Sequence, residues 1–212
     1  LLLYFNNQTG ENDSLVKDYS VDVNTQRIDQ PNHNATCDGA FCPKYNYSVY
    51  RTGTWAMRFD GSNDALNITT TPALNNMEKL TMCTWVYSRG LSTFDVLIAK
   101  LNNPESAGWA VYFDNNNRIT SEYYSPDWRA ASYTVIEGFV NVWMHVCVEQ
   151  DSSGIGPRNK IFYNGVNVTQ STAGAGRSDD SANNIVIGND LGNNAFGGIL
   201  DELAIWNRTL SN

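Results

Sequence analysis

Clusters of Asn, Asp, Gly and Ser cut this chain into apolar runs of four to eight residues, and that punctuation restricts it to short strands joined by turns. Asn accounts for 27 of the 212 residues, while Lys accounts for 5. Asn is poor in helix interiors because its amide competes for the backbone, and it favours turns for the same reason. No long stretch carries a helical period. The best short helix candidate is 72–80, which opens on Pro72. Strands are expected at 2–5, 55–59, 66–69, 80–87, 96–100, 109–113, 118–123, 143–148, 160–163, 166–170, 184–187 and 200–206. The clearest local signal is Tyr163-Asn164-Gly165-Val166, because Asn-Gly takes positive φ cheaply and closes a two-residue hairpin. So many short strands make an all-β sandwich or barrel.

A sandwich can use all 212 residues as one domain, and no linker or repeat divides the chain. Residues 20–52 read as an irregular insertion. Acids outnumber bases 22 to 14, for a net charge of -8, which argues against a nucleic-acid partner. No run approaches the roughly 20 apolar residues of a membrane span, so this segment does not insert into a membrane. The opening Leu1-Leu2-Leu3-Tyr4-Phe5 lacks the flanks of a signal peptide, and without an initial Met the chain reads as processed or as part of a longer one.

Seven N-x-[ST] sequons occur, at Asn7, Asn12, Asn34, Asn46, Asn67, Asn167 and Asn207. With four cysteines they favour an extracellular or cell-surface glycoprotein. Asn34 and Asn46 lie in the irregular segment and are expected to be the most accessible. Cys37 and Cys42 suit a small loop closed by a disulfide; a zinc site would need a second ligand pair, and only His33 is near. Cys83 and Cys147 lie in strand-like runs, either bridged across a long loop or buried as two free thiols.

Several segments resemble, in order, the strands of laminin-G-like, concanavalin A-type jelly rolls. They are Trp55-Ala-Met-Arg-Phe-Asp-Gly-Ser-Asn-Asp-Ala-Leu66, Leu80-Thr-Met-Cys-Thr-Trp-Val-Tyr-Ser88, Gly108-Trp-Ala-Val-Tyr-Phe-Asp114, Val142-Trp-Met-His-Val-Cys-Val148, Ile161-Phe-Tyr-Asn-Gly-Val166 and Ile185-Val-Ile-Gly-Asn-Asp190. A closing segment, Gly198-Ile-Leu-Asp-Glu-Leu-Ala-Ile-Trp-Asn-Arg-Thr-Leu-Ser211, completes the series. The resemblance spans about 2–211 apart from the insertion. Cys83 with His145-Val-Cys147 is also similar to pentraxins, which implies a Cys83–Cys147 disulfide. Glu149 and Gln150 depart from the pentraxin pattern.

The resemblance implies a two-sheet antiparallel jelly-roll β-sandwich that binds glycans or surface proteins, often with structural calcium. Asp201 is the leading metal candidate. It shares the parity of Ile199, Leu203 and Ile205, and a buried carboxylate needs a partner. Asp18 matches the acid of the family's early turn, and Asp60, before Gly61, is a third candidate. Without an ion, Asp201 would pair with Arg58 or accept backbone N–H bonds. A second acidic cluster is Asp95 with Asn189 and Asp190.

Glucanases of this fold use the spacing Glu-x-Asp-x-x-Glu, and Glu149-Gln-Asp151 lacks the third acid. His145 reads as a core or interface histidine. Tyr123, Tyr124 and Trp128, with Asp127 or Arg129, form an aromatic and polar set suited to holding a sugar, the alternative being the ordinary packing of a loop on the sandwich. The sequence therefore suggests a non-catalytic, surface-displayed glycan- or protein-binding adhesion module of a larger protein. A self-assembling subunit domain of an extracellular filament or surface layer is the second reading, and a glucanase-type glycoside hydrolase is the third.

Overall fold

The computed structural model describes residues 1–7, 10–19, 33–90, 94–102, 107–125, 127–134, 138–152, 159–170, 178–190 and 194–210. Its strands in chain order are β1 (Leu2–Leu3), β2 (Leu15–Val16), β3 (Ala35–Thr36), β4 (Lys44–Asn46), β5 (Ala56–Asp60), β6 (Leu66–Ile68), β7 (Lys79–Ser88) and β8 (Phe94–Leu101). They continue with β9 (Gly108–Asp114), β10 (Arg118–Ser125), β11 (Asp127–Thr134), β12 (Trp143–Asp151), β13 (Lys160–Tyr163), β14 (Val166–Asn167), β15 (Ile185–Ile187) and β16 (Gly197–Trp206).

Two antiparallel sheets face each other. The first has the order β14-β13-β12-β7-β16-β5-β4, with β1 added on β16. The second has the order β11-β10-β9-β8-β15-β6-β3-β2. This is the jelly-roll sandwich that the sequence suggests. Alternation along the strands assigns their faces, because successive side chains point opposite ways. In β7, Leu80, Met82 and Val86 are buried, whereas Trp85 and Tyr87 are half exposed. In β12, Met144, Val146 and Val148 face the core, and Trp143, His145 and Cys147 face out. From the other sheet, Trp109, Val111, Phe113, Ile119 and Tyr123 complete the core. Gln150 crosses that core, its Nε2 donating to Ser121 Oγ at 3.0 Å.

Three sequence expectations change. The proposed helix at 72–80 is only a 3-10 turn at Pro72–Leu74; the chain enters β7 at Lys79, where alternation outweighs the helical start signal. The insertion is not wholly irregular: β3 pairs with β6, and β4 with β5, so it supplies a strand to each sheet. Residues 20–32 lie outside the described residues. The Tyr-rich segment around 121–129 is a hairpin of β10 and β11, with Tyr124 opposite Trp128. The Asn-Gly hairpin forms as expected, with φ of 49° at Asn164 and 82° at Gly165.

Both disulfides form, Cys37–Cys42 and Cys83–Cys147. Cys83 and Cys147 are direct cross-strand neighbours of β7 and β12.

Candidate functional site

The two outer faces of the sandwich carry different chemistry. On the second sheet, Val96, Ala99 and Ala110 form a small apolar cluster separate from the main core, with Leu101 and Tyr112 against it. Small side chains at Ala99 and Ala110, which are register partners, leave a depression there. The resulting cleft has a volume of about 210 Å³. Phe94 and Tyr112 form one wall, edge to face at 5.6 Å. Glu122, Asp190 and Asn194 also line it. Tyr112 Oη donates to Glu122 Oε2 at 3.0 Å, and Asn194 Nδ2 donates to Asp190 Oδ2 at 2.5 Å. Burial, reinforced by the Glu122 carboxylate, pushes the Tyr112 phenol above its ordinary pKa, so it stays a proton donor. The cleft therefore combines an aromatic wall with carboxylate and amide groups.

The outer face of the first sheet is an aromatic platform. Trp85 opposes His145, and Tyr87 opposes Trp143, across β7 and β12. Their ring centroids are 4.9 Å and 5.4 Å apart. Arg51 reaches over the sheet and stacks its guanidinium 4.2 Å from the Trp85 ring centroid. Arg51, Trp85, Trp143, His145 and Asn164 border an open concavity of about 500 Å³. Burial lowers the His145 pKa, which leaves that ring neutral at pH 7. The disulfide continues the face: the His145 ring nitrogens lie 3.8 and 3.9 Å from Cys147 Sγ. Cys83, His145 and Cys147 are close enough to hold a metal ion as a group. Metal binding needs thiolates, however, and both sulfurs are committed to the disulfide.

A bulge explains why Arg51 is held here. The pairing of β16 with β7 shifts between Asp201 and Ala204, and Glu202 takes φ of 51°. The shift breaks the parity expected from sequence. Asp201 sits opposite Trp85, on the outer side, while Leu203 and Ile205 remain buried on the inner side. Asp201 is nonetheless 0% exposed, because the chain at 51–52 crosses over it. Its Oδ2 accepts N–H bonds from Arg51 and Thr52, each 2.9 Å. Thr52 Oγ1 donates to Glu202 Oε1 at 2.6 Å. Thr84 Oγ1 donates to the Asp201 carbonyl at the bulge, at 3.0 Å. Of the two ion-free alternatives for Asp201, backbone donors are present; Arg58 is exposed on β5.

Burial raises the Asp201 pKa to about 6, against the pull of the two N–H bonds. Its Oδ1 is buried without a hydrogen-bond partner. A lone oxygen is a poor fit to calcium, which takes six to eight. Asp18 Oδ1 accepts the Leu2 N–H at 2.9 Å, and its Oδ2 lies 3.1 Å from His33 Nδ1. Asp60 Oδ1 caps its own turn by accepting from Ser62 and Asn63. Each of these carboxylates accepts at least one backbone N–H bond, and no group of three acids gathers among the described residues. Asp18 does join the first strand, but by direct hydrogen bonding. In the second acidic cluster, Asp190 reaches the cleft while Asp95 and Asn189 are buried.

Tyr123 corrects the sugar-binding set: its ring is 0% exposed in the core and cannot stack on a ligand. Tyr124 is half buried on the opposite face of β10. Asp127 and Trp128 belong to β11, but their side chains lie outside the described residues. Asn7, Asn12, Asn67, Asn167 and Asn207 are exposed. Asn34 and Asn46, expected to be the most open, are half buried, and their Oδ1 atoms accept backbone bonds from Asp18 and from Ser48 and Val49. Among the functional residues, sequence reasoning missed Arg51, Trp85, Trp143, Tyr112 and Glu122. For Trp85 and Trp143 a signal exists: aromatic residues alternate with aliphatic ones in β7 and β12, which places the aromatics on the solvent side.

Residues 59–212 match the Laminin_G_3 family, described as the concanavalin A-like lectin/glucanases superfamily. The match covers most of the chain, and the protein belongs to that family. It is similar to domain 4 of AbnA, a GH43 extracellular arabinanase from Geobacillus stearothermophilus, solved in complex with arabinotriose. The identity is 18%, covering 92% of this chain and 93% of that one, with a TM-score of 0.64. A botulinum neurotoxin serotype D ligand-binding domain, solved with N-acetylneuraminic acid, is 16% identical. It covers 94% of this chain, which spans 49% of that one, with a TM-score of 0.59. The heptameric SAP-like pentraxin from Limulus polyphemus is 16% identical over 73% of this chain and 76% of that one, with a TM-score of 0.54. At these identities the likeness is one of fold. No curated protein sequence matches the chain.

Proposed function

We propose that this chain is a non-catalytic glycan-binding module, displayed outside the cell, with its sugar site in the Tyr112 cleft. One observation carries the reading: an aromatic wall of Phe94 and Tyr112 meets Glu122, Asp190 and Asn194 in a single depression. Ligand sites are mostly apolar concavities with a few placed polar groups. A pyranose or furanose fits that pattern, since its C–H face stacks on a ring while carboxylates accept from its hydroxyls. Two of the similar structures hold a saccharide or a sugar acid, which supports the class of ligand.

The acids of the glucanase-like segment support a binding role over catalysis. Glu149 Oε2 pairs with Lys160 Nζ at 3.0 Å, and Asp151 Oδ2 with Lys79 Nζ at 3.5 Å. Each is held by a lysine, with no third acid in the motif. Two disulfides favour an oxidising location. On that reading, expression through a eukaryotic secretory route gives an intact mass above the bare 23.6 kDa chain.

A glycan array followed by calorimetry tests the proposal. Neutral oligosaccharides are expected to bind, and Tyr112→Ala should weaken binding at least about tenfold, or 1.4 kcal/mol. Binding unchanged by Tyr112→Ala would remove the cleft from consideration. Release of reducing sugar from the bound oligosaccharide would overturn the non-catalytic reading.

A further inference from the structure

The geometry points to a second binding site on the opposite sheet: Arg51, stacked on Trp85, takes the carboxylate of an acidic sugar whose ring lies on the Trp143 side of the aromatic platform. This site does not depend on the Tyr112 cleft, which opens on the other face of the sandwich.

Three features of Arg51 carry the inference. Its backbone is fixed, because its N–H and that of Thr52 both donate to the buried Asp201 Oδ2. Its guanidinium lies over the Trp85 ring at 4.2 Å, a cation–π contact that orients a planar fork. Among the described residues no carboxylate lies within ion-pair distance of that guanidinium; Asp201 binds the Arg51 main chain instead. A stacked guanidinium keeps its N–H groups in its own plane, where they can grip a carboxylate with two parallel bonds. Among the described residues lining the concavity, Arg51 is the only charged one. It is a fixed cation on a protein of net charge -8, so it selects an anionic partner locally.

The surroundings favour a sugar over an acidic peptide. Extended peptides usually gain affinity by pairing with an open strand edge, and helical ones by filling an apolar groove. Here the floor is made by β7 and β12, and both are already paired on both sides. What remains is an open surface of aromatic side chains, paired at centroid distances of 4.9 and 5.4 Å. That surface suits a rigid ring carrying a carboxylate, such as a uronic or sialic acid residue.

The test uses the whole chain and a defined panel: trigalacturonate, its carboxyl-reduced neutral trimer, sialyllactose, lactose, and a Glu-rich tetrapeptide. At least one acidic sugar should bind about tenfold or more tightly than its neutral counterpart, with affinity falling as salt is raised. Arg51→Gln should abolish that preference, and Arg51→Lys should not restore it, because an ammonium lacks the planar fork. Both variants keep the main-chain bonds to Asp201, and near-ultraviolet circular dichroism checks the fold. Indole N–H resonances of Trp85 and Trp143 should shift on binding, and Tyr112→Ala should leave those shifts intact. Equal binding of acidic and neutral sugars, no binding of either acid, indifference to Arg51→Gln, or tighter binding of the peptide would each overturn the proposal.

Discussion

The two outer faces differ in what lies across them. The cleft over β8, β9 and β10 is open because Ala99 and Ala110 are small, and its polar groups are the Tyr112 hydroxyl, two acids and an amide. The platform over β7 and β12 is filled by large rings, and its charged group is one arginine brought in from another part of the chain. Strand alternation makes both faces available, but it does not decide their chemistry. On the cleft side that comes from side-chain size. On the platform side it comes from a bulge at Asp201 that anchors residues 51–52. The contrast predicts that the platform depends on long-range ties and the cleft on local packing.

The largest expected effect tests the covalent tie. Replacing both Cys83 and Cys147 by Ala opens a loop of sequence separation 64. The chain-entropy model puts the loss at about 4 kcal/mol, read as a lower denaturant midpoint. The same treatment of Cys37 and Cys42, only five residues apart, gives about 2 kcal/mol. Below the melting temperature, the Cys83/Cys147 variant should lose acidic-sugar affinity before neutral-sugar affinity, since the bridge adjoins His145 and not the cleft. Equal loss on both faces would break the comparison. Free thiols at both positions in non-reducing peptide mapping would remove its covalent element.

A smaller effect sharpens the independence of the faces. Tyr112→Ala and Arg51→Gln share no partner, so their effects on binding should add to within about 0.5 kcal/mol in a double-mutant cycle. Each single change is expected to act on one ligand class, neutral for Tyr112 and acidic for Arg51. A coupling well above that value would mean that one ligand spans both sites or that the sheets shift together.

How much of this was legible in the sequence follows from the range over which each feature is set. The long strands and the Asn164-Gly165 hairpin are written locally, in alternation and turn chemistry, and the family order placed them in a sandwich. Cys83 and Cys147 were assigned by resemblance, and register places them face to face. Features set by distant partners were not legible. Lys100 lies at the end of an apolar strand yet is 0% exposed, held by Asp180 Oδ1 at 2.8 Å and Asn75 Oδ1 at 3.0 Å. Nothing near Lys100 in sequence announces either partner. Tyr123 and Tyr124 are adjacent, and only the register of β10 with β9 decides which of them is buried. The role of Arg51 was hidden for the same reason, in a segment that looked like irregular filling.

The bulge also explains where sequence parity failed at Asp201, and it yields a prediction that is read through pH. Parity aligned Asp201 with Leu203 and Ile205 and suggested an ion; the bulge turns it to the other face, under Arg51 and Thr52. Its folded-state pKa of about 6 lies above the ordinary 3.8 because burial penalises the charge. Between those values the folded state therefore holds more protons than the unfolded one. This group's stabilising contribution is full below about 3.8 and is lost as pH rises through about 6. The wild type should gain melting temperature relative to Asp201→Asn as pH is lowered through 6, with other titrating groups cancelling in the difference. The amide keeps an oxygen for the Arg51 and Thr52 N–H groups and carries no charge, so the variant should lack this pH-dependent component. A bound calcium ion would reverse the sign, since a cation lowers a carboxylate's pKa. In that case chelator would lower the wild-type melting temperature and leave Asp201→Asn much less affected. Parallel pH profiles for the two proteins would show that Asp201 titrates in the fold as it does in the unfolded chain, so that burial does not raise its pKa.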